Sequence, residues 1–460
     1  MKPSRRILAL SCSVALCFAA TGVAAAAPSE GGDGPWWTGS IDHAPGSDSG
    51  STNPVGSSPA GSSDPASDPF YQPPADLPEP GALIRTQPAP HIIEKFGIDW
   101  PGVSTKILYS SVNERGQRVG VSGFIIEPTT EWEGSGPRPT VVVAPGTMGQ
   151  GDQCAPSAGW GQLANIDLAN SSFGFDYELL SAYTASAKGI RVVVTDYIGM
   201  GTPGVHTYVN STDEGHAVLD AARAALEFAG DPADSPVGVV GYSQGGGASA
   251  AAAEYQPAYA PELNLVAAYA GAPPANLREV LDGIEGGSIE GVVGYALNTG
   301  RFYNPELEPL VDAYLNDEGR RFLETTKNQC IVDSVAMWGF RKSSSFTKDG
   351  RPFKALVDEI PEVGEYLDKQ KLGRWKPDAK VMVQIGANDD AIPAGQARQL
   401  GRDYCALGAD VSYLENDTPL LIDKTGLNHI VPLLANMPDS MDFLVAAFNG
   451  EEVGNDCGTF

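Results

Sequence analysis

The 460-residue chain carries 57 acidic and 30 basic side chains, a formal charge of −27. That acid excess excludes nucleic acid and anionic membranes as partners held by general electrostatics, and it specifies no ligand of its own. The length exceeds an ordinary single domain and suggests a core fold with a large insertion.

Lys2, Arg5 and Arg6 precede an apolar stretch from Ile7 to about Ala20 and the small residues Ala24–Ala27. This is the build of a secretory signal peptide over residues 1–27, so the chain is expected to be secreted or held at the cell envelope. The stretch is too short and wrongly flanked for a transmembrane helix. No second long apolar run follows it, and the mature chain, at −30 once three positive charges leave, is expected to be soluble. Cys12 and Cys17 leave with the leader. Cys154, Cys330, Cys405 and Cys457 remain, an even number that implies two disulfides in one of three pairings. Neither Cys-x-x-Cys nor clustered His accompanies them, so no metal is expected. Residues 28–67, rich in Ser, Gly, Pro and Asp with almost no aliphatic residues, cannot bury a core and are expected to form a disordered linker, with Trp36 and Trp37 its exception.

From residue 68 the patterns change. Thr105 to Pro128 alternates apolar and polar residues, as an antiparallel hairpin does. Continuous β-branched or apolar runs follow at Thr140–Ala144, Arg191–Thr195, Val237–Val240, Leu265–Ala270, Lys380–Ile385 and Val411–Leu414. Between Asp213 and Ala229 apolar residues recur at helical spacing. Short apolar runs alternating with helical patterns predict an α/β fold, with a mostly parallel sheet covered on both faces and function at the strands' carboxyl ends. The order breaks over residues 273–377, which read as helical. They are expected to form a cap inserted into a core made of 68–272 and 378–460.

Gly241-Tyr242-Ser243-Gln244-Gly245 follows one of these strands and leads into Gly246, Gly247 and Ala248–Ala253. A bare Gly-x-Ser-x-Gly means little in a chain with 54 glycines. Between a strand and a small-residue helix it reads as a nucleophile elbow. A serine nucleophile needs a base. Of the five histidines, His43, His91, His206, His216 and His429, only His429 lies after Ser243, on a loop past the last strand. The acid that orients it should follow a strand between the two. Asp389 and Asp390 both qualify, with Asp423 an outside candidate. The N–H of Gln244 and the loop Gly146–Gly151, around Thr147 and Met148, are the expected oxyanion donors. That loop lacks the Gly-Lys-Ser/Thr of a phosphate loop, and Gly199-Met200-Gly201 lacks the third glycine and acidic partner of a dinucleotide site, so no cofactor is expected.

With these residues in place the chain resembles the secretory lipase family of α/β-hydrolases, which includes fungal type A lipases and exported actinobacterial lipases. The resemblance runs through most of the chain from Asp68. It rests on Asp68-Pro69-Phe70-Tyr71, Ala144-Pro145-Gly146-Thr147 leading into Cys154-Ala155-Pro156-Ser157, Asp196-Tyr197-Ile198-Gly199-Met200-Gly201, the elbow, and Gly386 to Pro393. The resemblance implies an α/β-hydrolase fold with a helical lid. It places the triad acid four residues before Pro393, at Asp389, and pairs Cys154 with Cys330 and Cys405 with Cys457. It also implies metal-free hydrolysis of acylglycerols or simpler esters, in solution or at a lipid–water interface. A short-chain carboxylesterase or an envelope acyltransferase would use the same Ser243, Asp389 and His429. A peptidase would need an amine clamp, and a dead hydrolase would not need all three residue types in order. Chain-length preference and oligomeric state are not readable from the sequence.

Overall fold

The computed structural model describes residues 65–460, except 92, 95, 96, 98, 160–163 and 168–171. The expected leader and nearly all of the expected linker lie outside the described residues.

The elements in chain order are β1 (Leu83–Pro88), β2 (Gly102–Val112), β3 (Arg118–Pro128), β4 (Thr140–Ala144), β5 (Ala164–Asp167), β6 (Ser172–Phe175), α1 (Leu179–Ala187), β7 (Arg191–Thr195), α2 (Ser211–Ala229), β8 (Pro236–Tyr242), α3 (Gln244–Tyr259) and β9 (Asn264–Gly271). Seven helices follow before the next strand: α4 (Leu277–Ile284), α5 (Val292–Tyr303), α6 (Leu307–Tyr314), α7 (Asp317–Thr326), α8 (Ile331–Trp338), α9 (Phe353–Glu359) and α10 (Pro361–Lys369). The chain then runs through β10 (Lys380–Gly386), α11 (Ala394–Ala406), β11 (Val411–Asn416) and α12 (Leu427–Phe448).

Nine strands form one sheet in the order β1-β2-β3-β7-β4-β8-β9-β10-β11. The β1, β2 and β3 edge is antiparallel, and from β7 to β11 every pairing is parallel. Parallel strands carry helices on both faces, which is why these segments are apolar throughout rather than alternating. The faces separate by the period of two. Val142 and Ala144 of β4 join the cluster that holds α2 and α3, while Val141 and Val143 join the one that holds α1 and α12. The β2–β3 hairpin pairs Val112 with Arg118 across a tight turn. Helix α2 starts at Ser211 because the Asn210 side chain accepts the Asp213 N–H, an N-cap.

Helix α12 is long and apolar enough to cross a bilayer by length and composition, which corrects the expectation that no second long apolar run follows the leader. Here it is a core helix, with Met441, Phe443, Leu444 and Phe448 buried against the sheet. Two disulfides join Cys154 to Cys330 and Cys405 to Cys457, with Cα–Cα distances of 5.4 and 5.5 Å. The first ties the segment after β4 to the start of α8. Beside it the Gln150 N–H donates to the Gln329 carbonyl at 2.9 Å and the Ile331 N–H to the Met148 carbonyl at 2.8 Å. The loop after β4 is therefore held to the inserted helices by a covalent bond and by backbone pairing.

Candidate active site

Strand β8 ends at Tyr242, and Ser243 turns the chain into α3 at φ +57° and ψ −124°. A positive φ is costly for any residue but glycine and survives only where the surroundings enforce it. Here the enforcement is close packing. A Cβ on Gly245 would stand 2.0 Å from the Ala144 carbonyl oxygen, and one on Gly241 would stand 2.1 Å from that of Gly245. Both outer positions of the Gly-x-Ser-x-Gly are thus closed to side chains, and Ser243 is lifted to the head of a helix whose first N–H groups lack partners within it.

His429 lies in the first turn of α12. Its Nδ1 stands 2.8 Å from Asp389 Oδ2. The other oxygen of Asp389 accepts the N–H groups of Ala391 and Ile392 at 2.9 and 2.8 Å, which fixes the carboxylate's plane. Asp390 does different work. It accepts the Gly426 N–H at 2.8 Å and the His429 N–H at 3.1 Å, so it holds the backbone that presents the ring. Asp423 stays exposed on the loop before the helix. Burial acts against a charged His429 ring, but the charge and hydrogen bond of Asp389, with the charge of Asp390, outweigh it and raise the imidazole's pKa above 6.5. Tyr242 connects this pair to the elbow: its hydroxyl donates to the His429 carbonyl at 2.7 Å, and the two rings lie 5.1 Å apart.

Ser243, Gln244 and Thr147 all line a cavity of about 1150 Å³, counting its open mouth. Its other walls are almost wholly apolar and come chiefly from α4, α5, α6, α9 and α10, among them Leu281, Val293, Val311, Phe353 and Val363. Met148 instead buries its side chain beside the Cys154–Cys330 disulfide. Thr147 Oγ1 lies 2.9 Å from the Tyr208 hydroxyl.

Buried groups behind these residues had no signature in the sequence. Glu178 Oε1 accepts the Gly146 N–H at 3.0 Å, and burial pushes its carboxyl up to about 8. Glu214, likewise raised to about 8 by burial, and His206 share the Gln244 amide. Gln244 Nε2 lies 2.9 Å from Glu214 Oε1 and 3.1 Å from His206 Nε2. His206 Nδ1 faces the Ile198 carbonyl at 3.2 Å and so carries the proton, which leaves Nε2 to accept. Burial lowers His206 to about 4 and keeps it neutral. These contacts fix the peptide on each side of the expected oxyanion position, and only three-dimensional proximity reveals them.

The sequence profile of the secretory lipase family matches residues 165–456. The chain belongs to the secretory lipase family. It is 30% identical over 357 residues to a probable inactive lipase of Mycobacterium tuberculosis, covering 76% of each chain. It is 23% identical over 410 residues to a secreted triacylglycerol lipase of Malassezia furfur, covering 85% of this chain and 77% of the other. Among solved structures it is similar in fold to Candida antarctica lipase A in its closed state, with a TM-score of 0.72 at 21% identity over 86% of this chain and 89% of that one. A rice cell wall degrading esterase of Xanthomonas oryzae has a TM-score of 0.63 at 20% identity, over 79% of this chain and 98% of that one. The likeness to these solved structures shows a shared α/β fold and agrees with the strand order of the sheet.

Proposed function

We propose that the protein is a secreted carboxylic ester hydrolase that cleaves acylglycerols through a Ser243–His429–Asp389 triad. One observation carries the reading: a serine at a strained left-handed turn opens on an apolar cavity, and Tyr242, its neighbour in the chain, bonds the backbone of a histidine whose Nδ1 is held by a buried carboxylate. Ser243 Oγ attacks the acyl carbonyl while His429 takes its proton. The tetrahedral oxyanion is met by the N–H of Gln244 and by the Thr147 segment. His429 then protonates the leaving alcohol, and a water activated by the same ring releases the acid from the acyl-enzyme. The helices of residues 273–377 act as the cap over this site, and their apolar walls fit an acyl chain. One relative is a probable inactive lipase, but the presence here of all three residue types, with His429 bonded to Asp389, supports an active enzyme. Secreted lipases among the relatives and the charged, apolar and small-residue order of residues 1–27 support export.

The test is hydrolysis of p-nitrophenyl esters from acetate to palmitate, below and above their solubility limits. Turnover should favour long chains, and Ser243→Ala should lose about a million-fold in kcat with an unchanged melting temperature. Activity confined to short soluble esters would move the assignment to a carboxylesterase. Acyl products that form only with an added sugar acceptor would move it to an acyltransferase, and turnover retained in Ser243→Ala would remove the triad.

A further inference from the structure

Between β11 and α12, Leu420, Leu421 and Ile422 stand in succession with 55%, 48% and 61% of their surface exposed. Single exposed apolar side chains are ordinary, whereas three large ones in a row on one loop are not. The loop is bonded inward by its backbone. Asn428 Nδ2 donates to the Pro419 carbonyl at 3.0 Å, and its Oδ1 accepts the Leu421 N–H at 2.8 Å. Asn388 Nδ2 donates to the Thr418 carbonyl at 3.0 Å, and the Thr425 hydroxyl to that of Ile422 at 2.6 Å. With the backbone engaged, the aliphatic side chains are left to face water. The two asparagines that hold it adjoin His429 and Asp389 in the chain.

The same loop meets the rim of the cavity. The Ser288 N–H donates to the Lys424 carbonyl at 2.7 Å, and Lys424 Nζ donates to the Gly283 carbonyl. Ile284 and Ile289, on that strap, line the cavity. From its other side the Phe340 N–H donates to the Gly287 carbonyl at 2.8 Å. Phe340 is 60% exposed and sits at φ +62°, a conformation a bulky side chain adopts only at a cost.

We infer that Leu420, Leu421, Ile422 and Phe340 form the surface by which the protein seats itself on an uncharged lipid–water interface, with the cavity rim against the lipid. The inference rests on the ester-hydrolase reading. Charge selects the kind of surface. The chain as a whole, at a net charge of −27, is repelled by anionic headgroups, while a neutral oil surface opposes it with no charge. Asp417 and Asp423 flank the aliphatic run, and Lys424, Arg341 and Lys342 adjoin the surface in the chain without reversing that excess. The gain comes from removing apolar surface from water.

Partition of the full chain is measured on triolein emulsion and on phosphatidylglycerol vesicles, in a Ser243→Ala background so that binding is read without turnover. The substitutions L420S, L421S and I422S together should weaken partition onto triolein about 100-fold, and I422S or F340S alone by several-fold. In the otherwise wild-type enzyme the triple variant should keep kcat/KM on soluble p-nitrophenyl acetate within about twofold, which also reports an intact fold. Equal partition of parent and triple variant overturns the inference, as does tighter binding to phosphatidylglycerol than to triolein. Sedimentation of the parent as a dimer and of the triple variant as a monomer overturns it too, by giving the surface to a second copy. An enzyme that partitions as expected but hydrolyses no ester keeps the surface and loses the hydrolase reading.

Discussion

Two adjacent carboxylates beside one histidine look interchangeable in the sequence, and the geometry separates them. Asp389 bonds the ring, so Asp389→Asn places an amide against Nδ1 and favours the wrong tautomer, with an expected loss of about 10⁴ in kcat. Asp390 bonds backbone N–H groups of Gly426 and His429, and its charge helps raise the His429 pKa. Asp390→Asn keeps one acceptor oxygen and loses the charge. The base must be neutral in the free enzyme, so the acid limb of kcat/KM should lie above pH 6.5 in the parent and move to lower pH in Asp390→Asn. An unmoved limb would show that Asp390 does not act on the ring. The lost backbone contact should cost about 1 kcal/mol of stability. Sequence spacing could name both residues as candidates because each follows a strand end. Spacing alone could not tell them apart, because one residue's difference in position decides which reaches a ring and which a peptide; the family resemblance put the acid at Asp389, and the folded loop is what sets the difference.

At the scale of elements, the parallel strands were legible because each is buried on both faces, and an unbroken β-branched run is the direct imprint of that. Strand β1, with its last three residues exposed at the sheet edge, and the small hairpin of β5 and β6 carry no such imprint and were not foreseen. The helices between β9 and β10 were legible only as helical. Their apolar residues line a cavity as well as a core, so periodicity alone does not tell which face meets what. The disulfides allow the two uses to be separated experimentally. Loop-closure entropy grows only with the logarithm of loop length, so bridges spanning 176 and 52 residues should contribute upper limits of about 5 and about 4 kcal/mol, too close to distinguish. Activity should distinguish them. Replacing Cys154 and Cys330 by Ala loosens the Met148–Gln150 pairing with residues 329–331 and should lower kcat about tenfold well below the melting transition. Replacing Cys405 and Cys457 should lower the melting temperature with little change in kcat. Equal rates in the two double variants would show that the first bridge does not position the oxyanion loop.

At the scale of the whole molecule, the charge count suggested an acidic, soluble chain but hid how several acids are held. Burial raises Glu178, Glu214 and Glu290 from 4.5 to about 8, and Asp176 from 3.8 to about 7. A carboxyl whose pKa is higher folded than unfolded binds more protons in the native state. Its contribution to stability is therefore whole below the unfolded value and is lost as pH climbs through the folded one. For these four groups the loss runs from about pH 4 to about pH 8. His91 and His206, lowered by burial from 6.5 to about 4, act in the opposite sense, losing stability as pH falls from 6.5 towards 4. The buried acids, with Asp213 also raised to about 6, outnumber the histidines, His216 being lowered as well, between pH 5 and 6.5; above that the histidines no longer oppose them, and repulsion within a negative chain grows. The melting temperature should accordingly peak near pH 5 and fall by several degrees by pH 8. Glu178→Gln with Glu214→Gln keeps an acceptor for the Gly146 N–H and removes two of the four titrations, so the decline should become shallower by about half. Thermal scans of both proteins from pH 4 to pH 9 decide it, and a parent protein whose stability rises from pH 5 to pH 8 would mean that these carboxyls are ionised in the fold. A shallower slope in the variant ties the loss to the two acids that hold Gly146 and the Gln244 amide. The catalytic loops would then be supported by neutral carboxyls at mildly acidic pH and strained by buried charge above it, while His429 becomes the free base only as pH rises, so the range of greatest stability should lie on the acid side of the range of greatest activity.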